Sequence, residues 1–408
     1  MKKKLQVILL FSVFLSYNCS NDEVKTKYAA TLLMDSAYLA NTKDLIQNND
    51  PTLKFAYDRL IKEAEAALKE GPFSVTNKEK LPPSKNKHDY ASYSRYWWPD
   101  STKTDGLPYI WRDGETNPDS QSLKHSDRQR IETFSYNTET LGLAYYFTGK
   151  EKYAKRAAEL LRVWFLDEET KMNPNVNHSQ IRLGHNNGTK SGVLDGRLMI
   201  RAFEGALLIK DSSWLSNTEQ EKLKNWAAMY FEWLTTSELA LQEADSNNNH
   251  GSFYDVQAMY FALYSGNEVA ATQIAQKFIQ NRLYSQIKPD GSMPEEMART
   301  RPLFYSIYNL HAMFLVAHLA QKVEVDIWKA KEEDSRLKTA LDYLAPYADS
   351  NKPWPHNTIG ETDRMKLFII LQMADRVYPN QNYLKKADIL PFHKRKIQRS
   401  NIAFPLIR

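Results

Sequence analysis

The feature that most constrains this chain is a repeated pairing of apolar stripes at helical spacing, joined by very short turns. Residues 54–69 place Phe55, Leu60, Ala64 and Leu68 on one helical face. Residues 131–147 and 151–166 form a pair split by Thr148-Gly149-Lys150, and 253–264 with 268–284 form another split by Ser265-Gly266-Asn267. Further helices are expected over 197–209, 217–241, 305–322, 332–348 and 361–377. Few stretches alternate with the period of a strand. Helical hairpins in succession from about residue 51 to the end predict an all-α fold, an (α/α) toroid, that is, an incomplete barrel of hairpins.

Two segments break this rhythm. Residues 70–130 are rich in Pro, Gly, Asp, Lys and aromatics, and 171–195 in Asn and Gly. Long irregular loops in a compact domain are commonly functional. Trp97, Trp98, Tyr109 and Trp111 argue for order in the first, and these loops are expected to lie over the cleft. Composition excludes other classes: 42% hydrophobic residues are too many for a disordered chain, and a single cysteine excludes a disulfide framework or a Cys-based metal site.

The N-terminus reads as an address. Lys2, Lys3 and Lys4 precede an apolar run from Val7 to Leu15, too short to span a bilayer. Cys19 follows directly, with Asp22 and Glu23 after it. This resembles a bacterial lipoprotein signal, with Cys19 as the lipidated residue; the alternative is a cleaved secretory signal with an incidental cysteine. Residues 1–18 are expected to be the signal peptide, 19–50 a tether with the first helix, and 51–408 the toroid. Either reading exports the protein, to the periplasm or the outer surface. The formal net charge of +5 includes the three lysines of the leader, so the remainder is nearly balanced. Nothing here points to nucleic acid, and any site for a polyanion must be local.

Four stretches offer chemistry. Asn247-Asn248-Asn249-His250-Gly251 opens a helix; one Asn serves a cap, but three and a His exceed that need. Glu295-Glu296-Met297-Ala298-Arg299-Thr300-Arg301-Pro302-Leu303-Phe304-Tyr305 enters another, with Tyr308 one turn on; spacing alone favours a charged face with a core aromatic stripe over a functional set. The aromatic loop Tyr93–Pro118 offers faces that stack on sugar rings and cations that bind carboxylates, or packs its own aromatics against the toroid; the polar loop Asn173–Arg197 suits a polar ligand or equally a hydrogen-bonded loop core. His311 and His318 share a helical face and read as packing residues. No GxGxxG, P-loop, HExxH or GxSxG motif occurs.

These stretches together resemble the alginate lyase superfamily of toroid polysaccharide lyases, in a Bacteroidetes branch. The similarity covers roughly residues 85–320. That family opens one helix with an Asn-His pair and follows with an Arg and a Tyr. Here these are Asn249-His250, then Arg299 or Arg301, then Tyr305, with Tyr308 in reserve. The Arg–Tyr spacing is one residue shorter than the family pattern. The resemblance implies β-elimination on a β-1,4-linked uronate polymer, without metal or cofactor. An amide and a guanidinium neutralise the C5 carboxylate and stabilise the aci-carboxylate, each contributing roughly 2–4 kcal/mol in the transition state. A tyrosine, with an unperturbed pKa near ~10, is expected to be activated as base by the guanidinium beside it. In mannuronate and glucuronate the C5 proton and C4 oxygen share one face, so one Tyr can serve both (syn elimination). Guluronate would need a second base such as His250. Trp97, Trp98, Arg112, Gln180, Arg182 and Asn248 are the expected substrate contacts. Mannuronate-rich alginate is the first substrate and glucuronan the close rival. A toroid hydrolase using Asp195, Asp255, Glu295 or Glu296, or a non-catalytic glycan-binding lipoprotein, are the other readings.

Overall fold

The computed structural model describes residues 30–330 and 334–407. The expected leader and Cys19 lie outside the described residues. The main helices are α1 (Ser36–Gln47), α2 (Lys54–Ala67), α3 (Arg128–Thr148), α4 (Glu151–Leu161), α5 (Met199–Leu208), α6 (Asn217–Thr236) and α7 (Glu238–Ala244). They continue with α8 (Asn249–Ser265), α9 (Glu268–Phe278), α10 (Pro294–Met297), α11 (Pro302–Ala320), α12 (Arg336–Leu344) and α13 (Lys366–Val377).

The helices divide by burial into two layers. Helices α3, α5, α8, α11 and α13 bury most of their residues, including charged ones such as Glu139 on α3 and Glu204 on α5. Helices α2, α4, α6, α9 and α12 bury one stripe only. A helix buried all round must be surrounded by protein, while a striped helix faces water on its other side. Inner and outer helices alternate along the chain, which is the logic of an (α/α) toroid. Helix α11 shows the effect best: it is apolar and long enough to cross a bilayer, yet 83% of that window is buried inside the protein. A run of aromatic rings ties the layers together. Phe134 stacks on Trp164 at 4.6 Å, Phe165 meets Trp226 at 4.6 Å, and Phe203 meets Phe261 at 5.3 Å.

The expected helices are present with adjusted ends. The 217–241 stretch is two helices, because Ser237 is extended between α6 and α7. The 151–166 and 268–284 stretches end in wider π turns, Arg162–Leu166 and Ile279–Tyr284. The two irregular segments are one structure. Strand β1 (Ala91–Tyr93) belongs to the first, as do β2 (Trp97–Trp98) and β3 (Ile110–Trp111); β4 (His178–Ile181) belongs to the second. Strand β1 pairs in parallel with β4, and β2 pairs antiparallel with β3. This small sheet wall stands over the mouth of the inner helices.

Candidate active site

The wall and the inner helices enclose a cleft of about 840 Å³. Six arginines and Lys366 line it, against Asp113, Glu132 and Asp195. A nearly neutral chain thus concentrates positive charge where a polyanion would enter.

Asn249 and His250 form the first turn of α8. Asn248 is the cap: its Oδ1 accepts the His250 N–H at 3.0 Å. The chain doubles back tightly here. A Cβ on Gly251 would sit 2.0 Å from the Ser246 carbonyl oxygen, so only glycine fits. Arg282 braces the turn, donating to the Ala244 carbonyl at 2.6 Å and to Asp255 at 2.8 Å. Behind each functional side chain stands a buried glutamate. Asn249 donates from its backbone N–H to Glu296 Oε1 at 2.5 Å, and its Nδ2 lies 3.0 and 2.9 Å from the two Glu296 oxygens. His250 Nδ1 is 2.5 Å from Glu243 Oε1. That contact directs the Nδ1 proton to Glu243 and leaves Nε2 for the cleft. Burial pushes Glu296 up to about 7, against the Asn249 hydrogen bonds and the charges of His250 and Arg299.

Across the cleft, α10 and the turn after it present Arg299. Its guanidinium lies 3.9 Å from the centre of the Tyr305 ring, and Nη2 donates to the phenol oxygen at 3.0 Å. Asp113, from the aromatic loop, holds the same nitrogen at 3.2 Å and accepts from Thr300 at 2.9 Å. A second loop residue, Tyr96, brings its hydroxyl to 3.4 Å from that of Tyr305. The expectation for the phenol needs correction. Burial first, and the Tyr96 hydrogen bond second, raise the Tyr305 pKa above its ordinary value; Arg299 opposes them and does not prevail.

The other expected residues separate clearly. Arg301 turns away from Tyr305, donating to the Glu361 carbonyl at 3.0 Å and stacking on Phe304. Tyr308 lines the cleft but packs its ring on Phe253 at 4.4 Å. Trp97, Gln180 and Arg182 line the cleft, with the Arg182 guanidinium 4.8 Å over the Trp97 ring. Trp98 and Arg112 do not: they stack on each other at 5.2 Å, the indole N–H donating to Glu115. Asn248 also lies outside the lining, its side chain used as the cap. His311 is buried as expected, yet borders the cleft. The spacing-based reading missed Tyr96, Asp113 and Glu243. Tyr96 stood in the aromatic loop, but nothing local ties it to a tyrosine over two hundred residues on.

The alginate lyase family model matches residues 74–354. A crystal structure of an alginate lyase from Bacteroides ovatus is 37% identical with a TM-score of 0.86, covering 92% of this chain and 99% of that one. The chain belongs to the alginate lyase family. It is therefore a polysaccharide lyase, and the hydrolase and non-catalytic readings fall. Neither Asp255, held by Arg282, nor Glu296, held by Asn249, lines the cleft. Alginate lyase A1-III from Sphingomonas species A1 is 16% identical with a TM-score of 0.59, covering 93% of this chain and 98% of that one. Its tyrosine-to-phenylalanine variant complexed with tetrasaccharide gives a TM-score of 0.60 at 16% identity, again covering 93% and 98%. At that identity the likeness to an alginate lyase is one of fold. No curated protein matches the chain.

Proposed function

We propose that this lyase cleaves mannuronate-rich alginate by syn β-elimination, with Tyr305 as base and then acid. The observation that supports this most is the Arg299–Tyr305 pair, 3.0 Å apart, sharing one cleft with Asn249 and His250. Asn249, His250 and Arg299 surround the C5 carboxylate and spread its charge as the aci-carboxylate forms. The Tyr305 phenolate takes the C5 proton. The electron pair forms the C4–C5 double bond as the C4–O bond breaks, and Tyr305 returns the proton to the departing oxygen. The products are a new reducing end and an unsaturated uronate end. Arg299 offsets the burial that opposes phenolate formation, and Tyr96 gives the phenol oxygen a hydrogen-bond partner. The exported location is part of the same proposal, supported by the basic and apolar leader before Cys19.

The test is ultraviolet absorbance of the unsaturated end on polymannuronate, polyguluronate and glucuronan side by side. Fastest product formation on polymannuronate is expected; a preference for glucuronan, which shares C4 and C5 configuration, would replace the substrate and keep the mechanism. Tyr305→Phe is expected to lose about 10²–10⁴-fold in kcat with an unchanged circular dichroism spectrum. Turnover near the native rate in that variant would remove Tyr305 from the role.

A further inference from the structure

The proposed chemistry uses part of the cleft lining and leaves two of its arginines unexplained. Arg128, the first residue of α3, and Arg197, in the turn Lys190–Leu198 before α5, both line the cleft. Arg197 is 8% exposed, and the Arg128 side chain 13%. Buried guanidinium groups ordinarily have their donors matched. These do not. Arg128 Nη1 stands 3.6 Å from Asp195 Oδ1, beyond hydrogen-bond reach, and has no hydrogen-bond partner. Asp195 is already engaged: Oδ2 accepts from Tyr90 and Ser92 at 3.0 and 2.7 Å, and Oδ1 from Gln180 at 3.4 Å. Arg197 donates from Nη1 to the Leu194 carbonyl at 3.0 Å, while its buried Nε has no partner. Its guanidinium lies 5.4 and 5.8 Å from the Phe253 and Tyr308 ring centres. Those rings orient the group without using its donors. Burial holds Arg197 below its usual range, and the neighbouring Arg128 charge acts in the same direction. Asp195, paired with Arg128 at 3.6 Å, favours the charge on both groups and raises Arg128, but it leaves one buried donor of each without a hydrogen-bond partner. A second carboxylate, brought by the substrate, would match those donors.

We propose that Arg128 and Arg197 form a second carboxylate subsite in the cleft, for a uronate unit next to the one that undergoes elimination. The inference rests on the lyase reading of this cleft. A uronan carries one carboxylate on every sugar, so a cleft that seats several sugars meets several carboxylates. Tyr308, beneath Arg197, lies three residues after Tyr305 on α11, so the two sites are about one helical turn apart. Planar guanidinium groups match carboxylate geometry better than an ammonium does.

The test measures calorimetric binding in a Tyr305→Phe background, which prevents turnover. The probes are a mannuronate tetrasaccharide and the neutral β-1,4-mannan tetrasaccharide of the same linkage. Arg197→Gln is expected to weaken the acidic probe about tenfold to a hundredfold, to leave the neutral probe unchanged, and to leave Tm unchanged or higher. Equal affinity for the acidic probe overturns the subsite. So does equal weakening of both probes, or a fall in Tm accompanying the loss, since each marks a structural role. Arg128→Gln gives the same readouts if Arg197→Gln does not fold. Wild-type turnover on polymannuronate is measured in parallel. Its absence defeats the mannuronate reading on which the acidic probe was chosen, whereas turnover with an unaffected Arg197→Gln defeats only the subsite.

Discussion

Two titrating side chains set the behaviour of the site, and they act in opposite senses. Burial raises Tyr305, so the resting phenol is protonated at neutral pH and its reactive fraction grows as pH rises. The expected result is a kcat that increases about tenfold per pH unit on the alkaline side until the fold fails. A flat kcat across that range would exclude phenolate as the base. Burial pushes Glu296, behind Asn249, up to about 7. When ionised it places a negative charge behind the amide proposed to meet the substrate carboxylate, so KM is expected to rise above that pH. Glu296→Gln is expected to abolish this limb of the KM profile while leaving the kcat limb. The folded pKa lies above the ordinary 4.5, so the native state holds an extra proton between about 4.5 and about 7. Stability contributed by that proton is present below about 4.5 and is lost as pH rises to about 7. Thermal melts of the wild type and Glu296→Gln should therefore converge at acid pH and separate with the variant higher above neutrality.

At the scale of elements, the cleft depends on how closely the inner helices approach. Helices α3 and α5 meet through glycines. A Cβ on Gly205 would lie 2.6 Å from the Thr138 carbonyl oxygen, and one on Gly142 would lie 2.9 Å from the Gly205 carbonyl oxygen. Backbone cannot yield as a flexible side chain does. Gly205→Ala is expected to cost about 1–3 kcal/mol, seen as a lower urea midpoint. A neutral result would mean that α3 and α5 part without consequence. The same displacement would carry Arg128 on α3 away from Arg197 just before α5, so oligosaccharide affinity should fall with stability. The hairpin stripes announced these helices, but the close glycine contact was not legible, since a glycine inside a helix carries no mark of what lies opposite.

At the scale of the whole molecule, the first and last described segments are fastened to the toroid. The Leu32, Leu33 and Met34 N–H groups donate to the buried Glu204 carboxylate at 3.1, 3.1 and 2.9 Å, and Tyr260 adds a fourth bond at 2.9 Å. Near the other end, Arg399 reaches Glu63 at 2.6 Å on α2, and Glu139 and the Tyr136 hydroxyl, each at 3.0 Å, on α3. Asp35 then receives Arg376 at 3.1 Å, and its N–H donates to the Phe404 carbonyl at 2.7 Å. Glu204→Ala leaves three backbone donors and a phenol without their acceptor. A loss of about 3 kcal/mol or more is expected, read by chemical denaturation, with proteolysis cutting first near residues 30–35. A variant as stable as the wild type would show that the N-terminal strap is dispensable.

The sequence by itself determined the all-α class, the order of hairpins, the two irregular segments and the stretches that hold Asn249, His250, Arg299 and Tyr305. Those are local properties: period, turn residues and motif spacing act over one or two helical turns. Only the tertiary structure decided that Arg299 rather than Arg301 meets Tyr305. It also decided that Trp98 and Arg112 satisfy one another outside the cleft, and that Tyr96, Asp113, Glu243, Arg128 and Arg197 belong to the site's surroundings. The reason is physical. Each of those outcomes is a contact between separate segments, and a side chain's charge, burial and partner are set by what the fold places beside it.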